Sequence, residues 1–584
     1  MSPWFDLPKI LDGKVRLAAT AVLGESELQP DIRPADPRFG DFQANGVLPY
    51  AKSVRQNPRE IASRIIGKLT EDAELNDAVS IDLAGPGFIN FRLKPAFLLK
   101  WLQTFSTEDD LRSGAGAFYH GKRVVVDFGS PNTAKQMHVG HIRSLVIGEA
   151  ICRLLAFCGA DVVRDNHLGD WGTPYGKIFY AYKRFLDPVA LRDDPLEELE
   201  RLYKQGDLAT REDADALEEA RGELVKLQAG DPESLALWER INTLTLEALQ
   251  ATYDRLGIHY DVVLGESFYR DKVDQVYHEL TARAIAEESD GALVVFHPDH
   301  PRFKTQPFIV RKSDGASNYA STDLATMLYR LEHFRADMII IVTDSRQGDH
   351  FEQLELTTRK WFAATGRSMP EFHHVTFGTI LGEDGKAIKT RSGDPIRLKT
   401  LLNESRDRAL QTVRSKSPDL PEAESLEIAE AVGIGAVIYA DLSQNRTGDY
   451  VFSWDKLLSL EGNTAPYLQY AAARIHSIFR RSGDGLVEDP ARASVFDTPE
   501  ELALAGKIIA FVSIIQQTAA SLRPHYLCTY LYELAGLFSS FYNANRVLVD
   551  EEDIRQRRLL LCRRVLLILE TGLHLLAIRT MKRM

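Results

Sequence analysis

The chain has 584 residues, a formal net charge of −13, and 44% hydrophobic and 26% charged residues. That balance is ordinary for a soluble globular protein and allows roughly three to five domains at ~100–200 residues each. No run approaches the ~18 consecutive uncharged apolar residues of a membrane span, which argues against a membrane protein.

The N-terminal stretch MSPWFDLPKILDGKVRLAATAVLG carries Asp6, Asp12 and Lys14. It therefore lacks the apolar core of a secretory signal and reads as the first helix of a domain. Helical periodicity over 57–70, then the alternating run VSIDLAGPGFINFRL (79–93) broken by Gly85, Pro86 and Gly87, predict a small α+β unit. The polar stretch 106–122 reads as a linker. Beyond it, RVVVDFGS (123–130), DVVRDNHLG (161–169), ADMIIIVTD (336–344) and HHVTFGTIL (373–381) are runs of buried-strand type, with a helix expected from about 138 to 157. Such alternation predicts a parallel sheet covered on both faces. Residues 185–260 are charged and helix-prone and read as a helical insertion. From about 400 onward the pattern is helical, and RRVLLILETGLHLLAI (563–578) is apolar all round, as inside a bundle. From Arg555 onward, eight basic residues stand against one acid, Glu570: either a solvated face or a phosphate-contacting surface. Cys152, Cys158, Cys528 and Cys562 lie in apolar, helix-like surroundings without a C-x-x-C pair. This argues against a disulfide framework or structural zinc and for a reducing cytoplasm.

The stretch PNTAKQMHVGHIRS (131–144) follows the first buried strand and carries His138 and His141. Open α/β sheets place ligands at the carboxyl ends of their strands. A helix start there offers N–H groups and a positive dipole end to phosphate, and Gly140 lets a flat ring or a phosphate approach the backbone. Two imidazoles one turn apart can donate to phosphate oxygens. The same residues also permit a metal site or a simple helix cap. The metal reading lacks a nearby Cys and the Glu of an H-E-x-x-H site, and the lack of G-x-G-x-x-G weakens a dehydrogenase reading. GEDGKAIKTRSGDP (382–395) is a Gly- and Lys-rich loop whose lysines can close over a triphosphate.

Together these residues resemble a class I aminoacyl-tRNA synthetase. His138-Val139-Gly140-His141 is similar to that class's HIGH signature, and Lys386-Ala387-Ile388-Lys389-Thr390 to a degenerate KMSKS loop. The longer strings SPNTAKQMHVGHIRS, DNHLGDWGTPYGK (165–177), ASTDLA (320–325), TDSRQ (343–347) and DGKAIKTRSGD (384–394) resemble the arginyl-tRNA synthetase family. So do LEGNTAPYLQYAAARIHSIFR (460–480), YLYELAGLFSSFYNANRVL (530–548), FGDFQANGVLPYAK (39–52) and AGPGFINFRL (84–93), in order over nearly the whole chain.

The resemblance implies a multidomain α/β architecture. Its parts are an α+β domain over 1–118 that meets the tRNA elbow and a Rossmann-like catalytic domain over 119–400 with a helical insertion at about 180–290. An all-α domain over 401–584 contacts the tRNA stem and binds the anticodon. It implies an arginine–tRNA ligase, monomeric and cytoplasmic, that forms arginyl-adenylate from L-arginine and ATP with Mg²⁺. The enzyme then charges tRNA(Arg), and it needs bound tRNA for activation. No protein-held structural metal is expected.

Arginine's planar, permanently charged guanidinium calls for carboxylates in a bidentate arrangement. By the resemblance, Asp127 and Asp323 accept it, with Tyr319 beside them, while Asn132, His138 and Gln347 hold the α-carboxylate and α-ammonium. His138, Gly140, His141, Lys386 and Lys389 are expected at ATP, with Gly378 near the adenosine and Lys135 sharing the phosphate charge. By the same resemblance, His138, His141, Lys389 and Lys135 are expected to carry the chemistry. Phe42, Gln43 and Asn45 are expected at the tRNA elbow, and Tyr542, Asn545 and Arg546 at the anticodon.

Overall fold

The computed structural model describes residues 6–24, 27–36, 38–386, 388, 395–482 and 489–584. At the N-terminus the helices Leu7–Leu23 and Pro58–Leu69 pack on a four-stranded antiparallel sheet. Its strands are β1 (Ile32–Pro34), β2 (Phe42–Ala44), β3 (Val79–Ala84) and β4 (Phe88–Leu93), in the order β1-β2-β4-β3. Strand alternation turns Phe42 and Ala44 into the core. Phe42 is thus a core side chain rather than the expected tRNA contact. The stretch read as a linker holds a helix, Glu108–Ala115, opened by a Thr107–Asp110 capping box and anchored by buried Leu111 and Ala115.

The central sheet is parallel: β5 (Arg123–Phe128), β6 (Asp161–Asn166), β7 (Val262–Val263), β11 (Met338–Asp344) and β12 (Glu371–Phe377), in the order β12-β11-β5-β6-β7. Four of its strands are the predicted apolar runs, whereas the two-residue β7 is too short to show a pattern. The chain moves outward from β5 to β6 and β7, then returns to β11 on the other side. The carboxyl end of β5 is therefore the switch point where such sheets bind ligands. A small antiparallel sheet, β8 (Glu287–Ser289), β9 (Ala292–Val295) and β10 (Phe308–Arg311), falls where no strands were expected.

The helix Ile142–Phe157 is buried on nearly every side. Gly148 allows it to lie on the Phe128 ring, which a Cβ there would meet at 2.2 Å. Ser144 donates to the Val342 carbonyl (2.7 Å) and accepts from the Gly129 N–H (2.8 Å), joining β11 to the end of β5. The buried Arg143 reaches Asp441 (3.1 Å) in the helix Glu422–Leu442 and so docks the helical part on the sheet.

The C-terminal part is helical. Pro499–Ser521 is long and apolar enough to cross a membrane by length and composition, yet half of that window is buried, and the helix breaks at Ala510. In the last helix, Glu552–Leu575, much of the basic run turns inward. Arg557 and Arg558 share the buried Glu501 (3.2 and 2.9 Å), and Arg564 donates to the Leu102 carbonyl (2.8 Å). These three arginines serve neither of the expected surface roles. Breaking a buried ion pair from one side costs about 3–5 kcal/mol because the remaining charge is stranded. Glu501→Ala is therefore expected to lose about that much stability in urea unfolding followed by circular dichroism, and a loss below about 1 kcal/mol would contradict this account.

Candidate active site

After β5 the backbone passes through three left-handed residues, Gly129 (φ 85°), Ser130 (42°) and Ala134 (58°). Two are not glycine, and each such position stores on the order of 1–3 kcal/mol unless its surroundings over-determine it. Here they do. The Thr133 N–H donates to the Gly169 carbonyl (3.1 Å), the Gly169 N–H to the Pro131 carbonyl (3.2 Å), and the Ala134 N–H to Thr245 Oγ1 (3.2 Å). Asn132 is thereby paired with Gly169 after β6, at the mouth of the site.

His138 caps a short 3₁₀ turn, Val139–His141, and the α-helix begins only at Ile142, later than predicted. The two rings lie with centroids 4.0 Å apart. His138 Nδ1 accepts from the Gly140 N–H (3.1 Å) and His141 Nδ1 from the His138 N–H (3.1 Å). Burial, reinforced by the charge of Arg346, lowers His138 below the usual histidine range. Burial and the neighbouring His138 push His141 down to about 4. Both rings are therefore neutral near pH 7. With each Nδ1 accepting from a backbone N–H, the proton of each neutral ring sits on Nε2, leaving one donor on each ring. Gly140 is exposed, and a Cβ there would meet the His138 ring at 2.9 Å. Lys135 places its ammonium 4.4 Å from the Tyr203 ring centre.

Across the sheet, Gln347 ends the turn Ser345–Gln347 after β11 and is exposed; its neighbour Arg346 is the residue whose charge reaches His138. The helix Tyr319–Glu332 starts from an Asn318–Ser321 capping box. Tyr319 is 70% exposed, and one turn later Asp323 is held by His350 Nε2 (2.6 Å). Glu266 faces them from the short helix Glu266–Tyr269. Burial, then the charges of Asp323 and Asp170, push its carboxyl up to about 8. Asp170 fixes that helix start by accepting from the N–H (2.9 Å) and Oγ (2.6 Å) of Ser267. Burial and the same two acids, Glu266 and Asp323, also raise the Tyr319 hydroxyl. This clustering of acids beside an exposed ring is suited to a cation.

Asp127 differs from expectation. One of its oxygens accepts from the buried Arg330 (2.5 Å) and the other from Ser130 (2.8 Å), so the chain's own arginine occupies it. Gly378 owes its missing side chain to packing: a Cβ would meet Asp449 at 2.5 Å and the Gly448 carbonyl at 2.6 Å. Lys386 lies in a turn whose backbone closes on Gly382 (2.7 Å), and Lys389 lies outside the described residues. Glu266, Asp170, His350 and Arg330 were not anticipated, since the partners that define them are far away in sequence.

A cavity of about 720 Å³ opens among the C-terminal helices, lined by Lys416, Tyr470, Arg474, Arg481, Tyr542 and Met584, among others. The Arg474 guanidinium lies 5.2 Å from the Tyr470 ring and 5.5 Å from the Tyr542 ring. Tyr542 is therefore in a basic, aromatic pocket. Asn545 is instead buried, accepting from Arg558 (3.2 Å), while the exposed Arg546 lends only its carbonyl to Arg558 (2.7 Å). In the N-terminal domain the Gln43 amide donates to Asn90 (2.7 Å) and the Asn45 amide to the Asp31 carbonyl (3.3 Å).

Three family profiles match the chain in order: "Arginyl tRNA synthetase N terminal domain" over 10–93, "tRNA synthetases class I (R), catalytic domain" over 109–454, and "DALR anticodon binding domain" over 468–584. The chain belongs to the arginyl-tRNA synthetase family. The family's reaction charges arginine onto tRNA. An arginine–tRNA ligase of Laribacter hongkongensis is 42% identical, with 99% of this chain and all of the relative aligned. One from Shigella sonnei is 39% identical at the same coverage. The arginyl-tRNA synthetase structures from Plasmodium falciparum and Thermus thermophilus are each 26% identical and cover 99% of this chain and 99% and 100% of their own, with TM-scores of 0.82 and 0.80. The synthetase resemblance read in the sequence therefore holds.

A preorganised donor aimed at developing charge is worth roughly 10²–10³ in rate. His141→Ala is expected to lower pyrophosphate exchange by about that factor while tRNA affinity, measured by filter binding, stays within about twofold. Equal losses in both would mark the ring as structural.

Proposed function

We propose that this site activates L-arginine with MgATP to arginyl-adenylate and passes the arginyl group to the terminal ribose of tRNA(Arg), with tRNA bound first. The observation that carries the reading is the pairing of two opposed environments at one switch point. On one side, two neutral imidazoles present Nε2–H donors; on the other, Glu266, Asp323 and Asp170 crowd together beside Tyr319. The first suits an α-phosphate gaining negative charge, and the second suits a planar cation with several donors.

In this reading Glu266 and Asp323 accept the guanidinium and Tyr319 stacks on it. Asp127 acts through Arg330 rather than on the substrate, while Asn132, His138 and Gln347 take the α-carboxylate and α-ammonium. His138, Gly140 and His141 hold the nucleotide, and Lys135 and Lys386 add positive charge at the phosphates. The Tyr470–Arg474–Tyr542 pocket receives an unstacked base of the tRNA, as aromatic and arginine faces do in single-stranded RNA recognition. A neutral isostere such as citrulline strands buried acceptors, so discrimination needs no editing site.

Pyrophosphate exchange with each of the twenty amino acids, with and without total tRNA, tests the assignment. Arginine alone should support it, and stronger exchange with any other amino acid overturns the reading. The acid cluster adds a pH signature. A carboxyl titrating at about 8 must lose its proton to pair with a guanidinium, so arginine binding strengthens as pH rises and levels off above that value. Between pH 7 and 8 the arginine Kd of the tRNA-bound enzyme should fall about fivefold. Calorimetry in buffers of different ionisation enthalpy should show proton release at pH 7, and Glu266→Gln should abolish both effects. A Kd independent of pH in the native enzyme would exclude Glu266 as an acceptor.

A further inference from the structure

The acidic insertion helix Pro195–Glu212 lays one stripe against the histidine turn: Glu197, Glu200, Tyr203 and Asp207, spaced three, three and four residues apart on a single face. Glu197 accepts from the Gln136 amide (2.9 Å) and takes both Nη atoms of Arg397, one at 2.9 Å. Arg397 is itself bridged to His138 through the backbone. The Val139 N–H donates to the Ile396 carbonyl (2.8 Å) and the Leu398 N–H to the Met137 carbonyl (2.9 Å). Glu200 stands 3.9 Å from Arg397, and its charge reaches His138. Tyr203 lies beneath the Lys135 ammonium at 4.4 Å, and Asp207, ion-paired to Lys177 (2.6 Å), feels the charge of Lys135 as well. The helix is thus fastened at its first turn to the seam beside the histidines and at its third to the lysine that precedes them.

A lysine stem has four rotatable bonds and loses much freedom when its ammonium is fixed. An aromatic face attracts the ammonium through its quadrupole without consuming N–H donors. Tyr203 therefore holds Lys135 in place while leaving hydrogens for an incoming phosphate. We propose that Tyr203 is a positioning residue for adenylate formation, and that the acidic insertion is the scaffold that sets it against Lys135. This rests on the reading of Lys135 as a phosphate-facing group.

The ring also packs against the insertion core, the cluster that contains Phe179 and Leu199, so the variants must separate packing from the π face. Tyr203→Leu keeps apolar volume and removes the face, whereas Tyr203→Phe keeps the face. We expect Tyr203→Leu to lower the single-turnover rate of arginyl-adenylate formation on the tRNA-bound enzyme about two- to fivefold, the worth of an exposed cation–π contact. The arginine KM and the melting temperature should stay unchanged, and Tyr203→Phe should behave as the native protein. In a Lys135→Ala background, Tyr203→Leu should add no further loss. An equal loss with and without Lys135 overturns the positioning role and makes Tyr203 a packing residue, as does a native rate in Tyr203→Leu. A Lys135→Ala protein of native rate overturns the underlying reading of Lys135 instead.

Discussion

Arg330 lies buried with its guanidinium between Asp127 and Asp165, and the candidate site depends on that ion cluster. Asp127 and Asp165 end adjacent parallel strands in register, so two carboxylates meet side by side at the switch point. Two unpaired buried carboxylates there would be prohibitive, and stranding even one member of such a cluster costs about 3–5 kcal/mol. Arg330 pairs with both, from the helix that also carries Tyr319 and Asp323. Asp323 precedes Arg330 by seven residues, two helical turns, and Tyr319 precedes Asp323 by one turn more. Anchoring Arg330 on the strand ends therefore swings Asp323 and Tyr319 over the carboxyl edge of the sheet. The chain's own arginine occupies one pair of acids, and on the proposed reading the group around Asp323 is left for the substrate.

Burial acts on the two halves of the site in opposite senses, and both senses serve one reaction. It removes protons from the imidazoles of His138 and His141, and it retains a proton on the Glu266 carboxyl. While empty, the histidine turn is neutral and Glu266 keeps its proton beside the charges of Asp323 and Asp170. On the proposed reading, the histidine turn offers dipoles to a phosphate whose negative charge grows, and Glu266 gives up its proton as a guanidinium arrives. The site, on that reading, holds back one carboxylate charge between turnovers and has its donors in place before the transition state forms.

How much of this was legible depended on the range of the interaction. Fully buried parallel strands read as continuous apolar runs, so four of the five central strands stood out, and the histidine turn followed from its place after the first of them. The two-residue β7 and the small sheet β8–β10 carry too few residues for any period to emerge. Phe42 was misread because in a three-residue strand only the sheet partner reveals which face is inside. Asp127 was misread because its partner lies 203 residues away. The basic run from Arg555 looked like a surface because Glu501, which pairs with two of its arginines, belongs to another helix. Glu266 gave no signal at all, since its identity as a site residue comes from Asp323 and Asp170 converging on it from other segments.

The chain uses its acids in two ways, and the difference follows from exposure. Around Arg330, Arg143 and Glu501 the pairs are buried and hold strands and helices in fixed relation. Around the histidine turn, the pairs Glu197–Arg397 and Asp194–Lys399 are about half exposed. Pairs of that kind contribute only about 0–1 kcal/mol each. Their cations are held in place at little cost to exchange, so a polyanion can draw on the same positive field without first breaking a strong bond. A net charge of −13 is, on the proposed reading, compatible with nucleotide and RNA substrates, because part of the excess acid is spent as weak counter-ions beside the groups assigned to phosphate. On the proposed reading, the acidic insertion is the reservoir of those counter-ions, and its helix Pro195–Glu212 brings them to the one turn of the sheet where charge must be gained and released in every cycle.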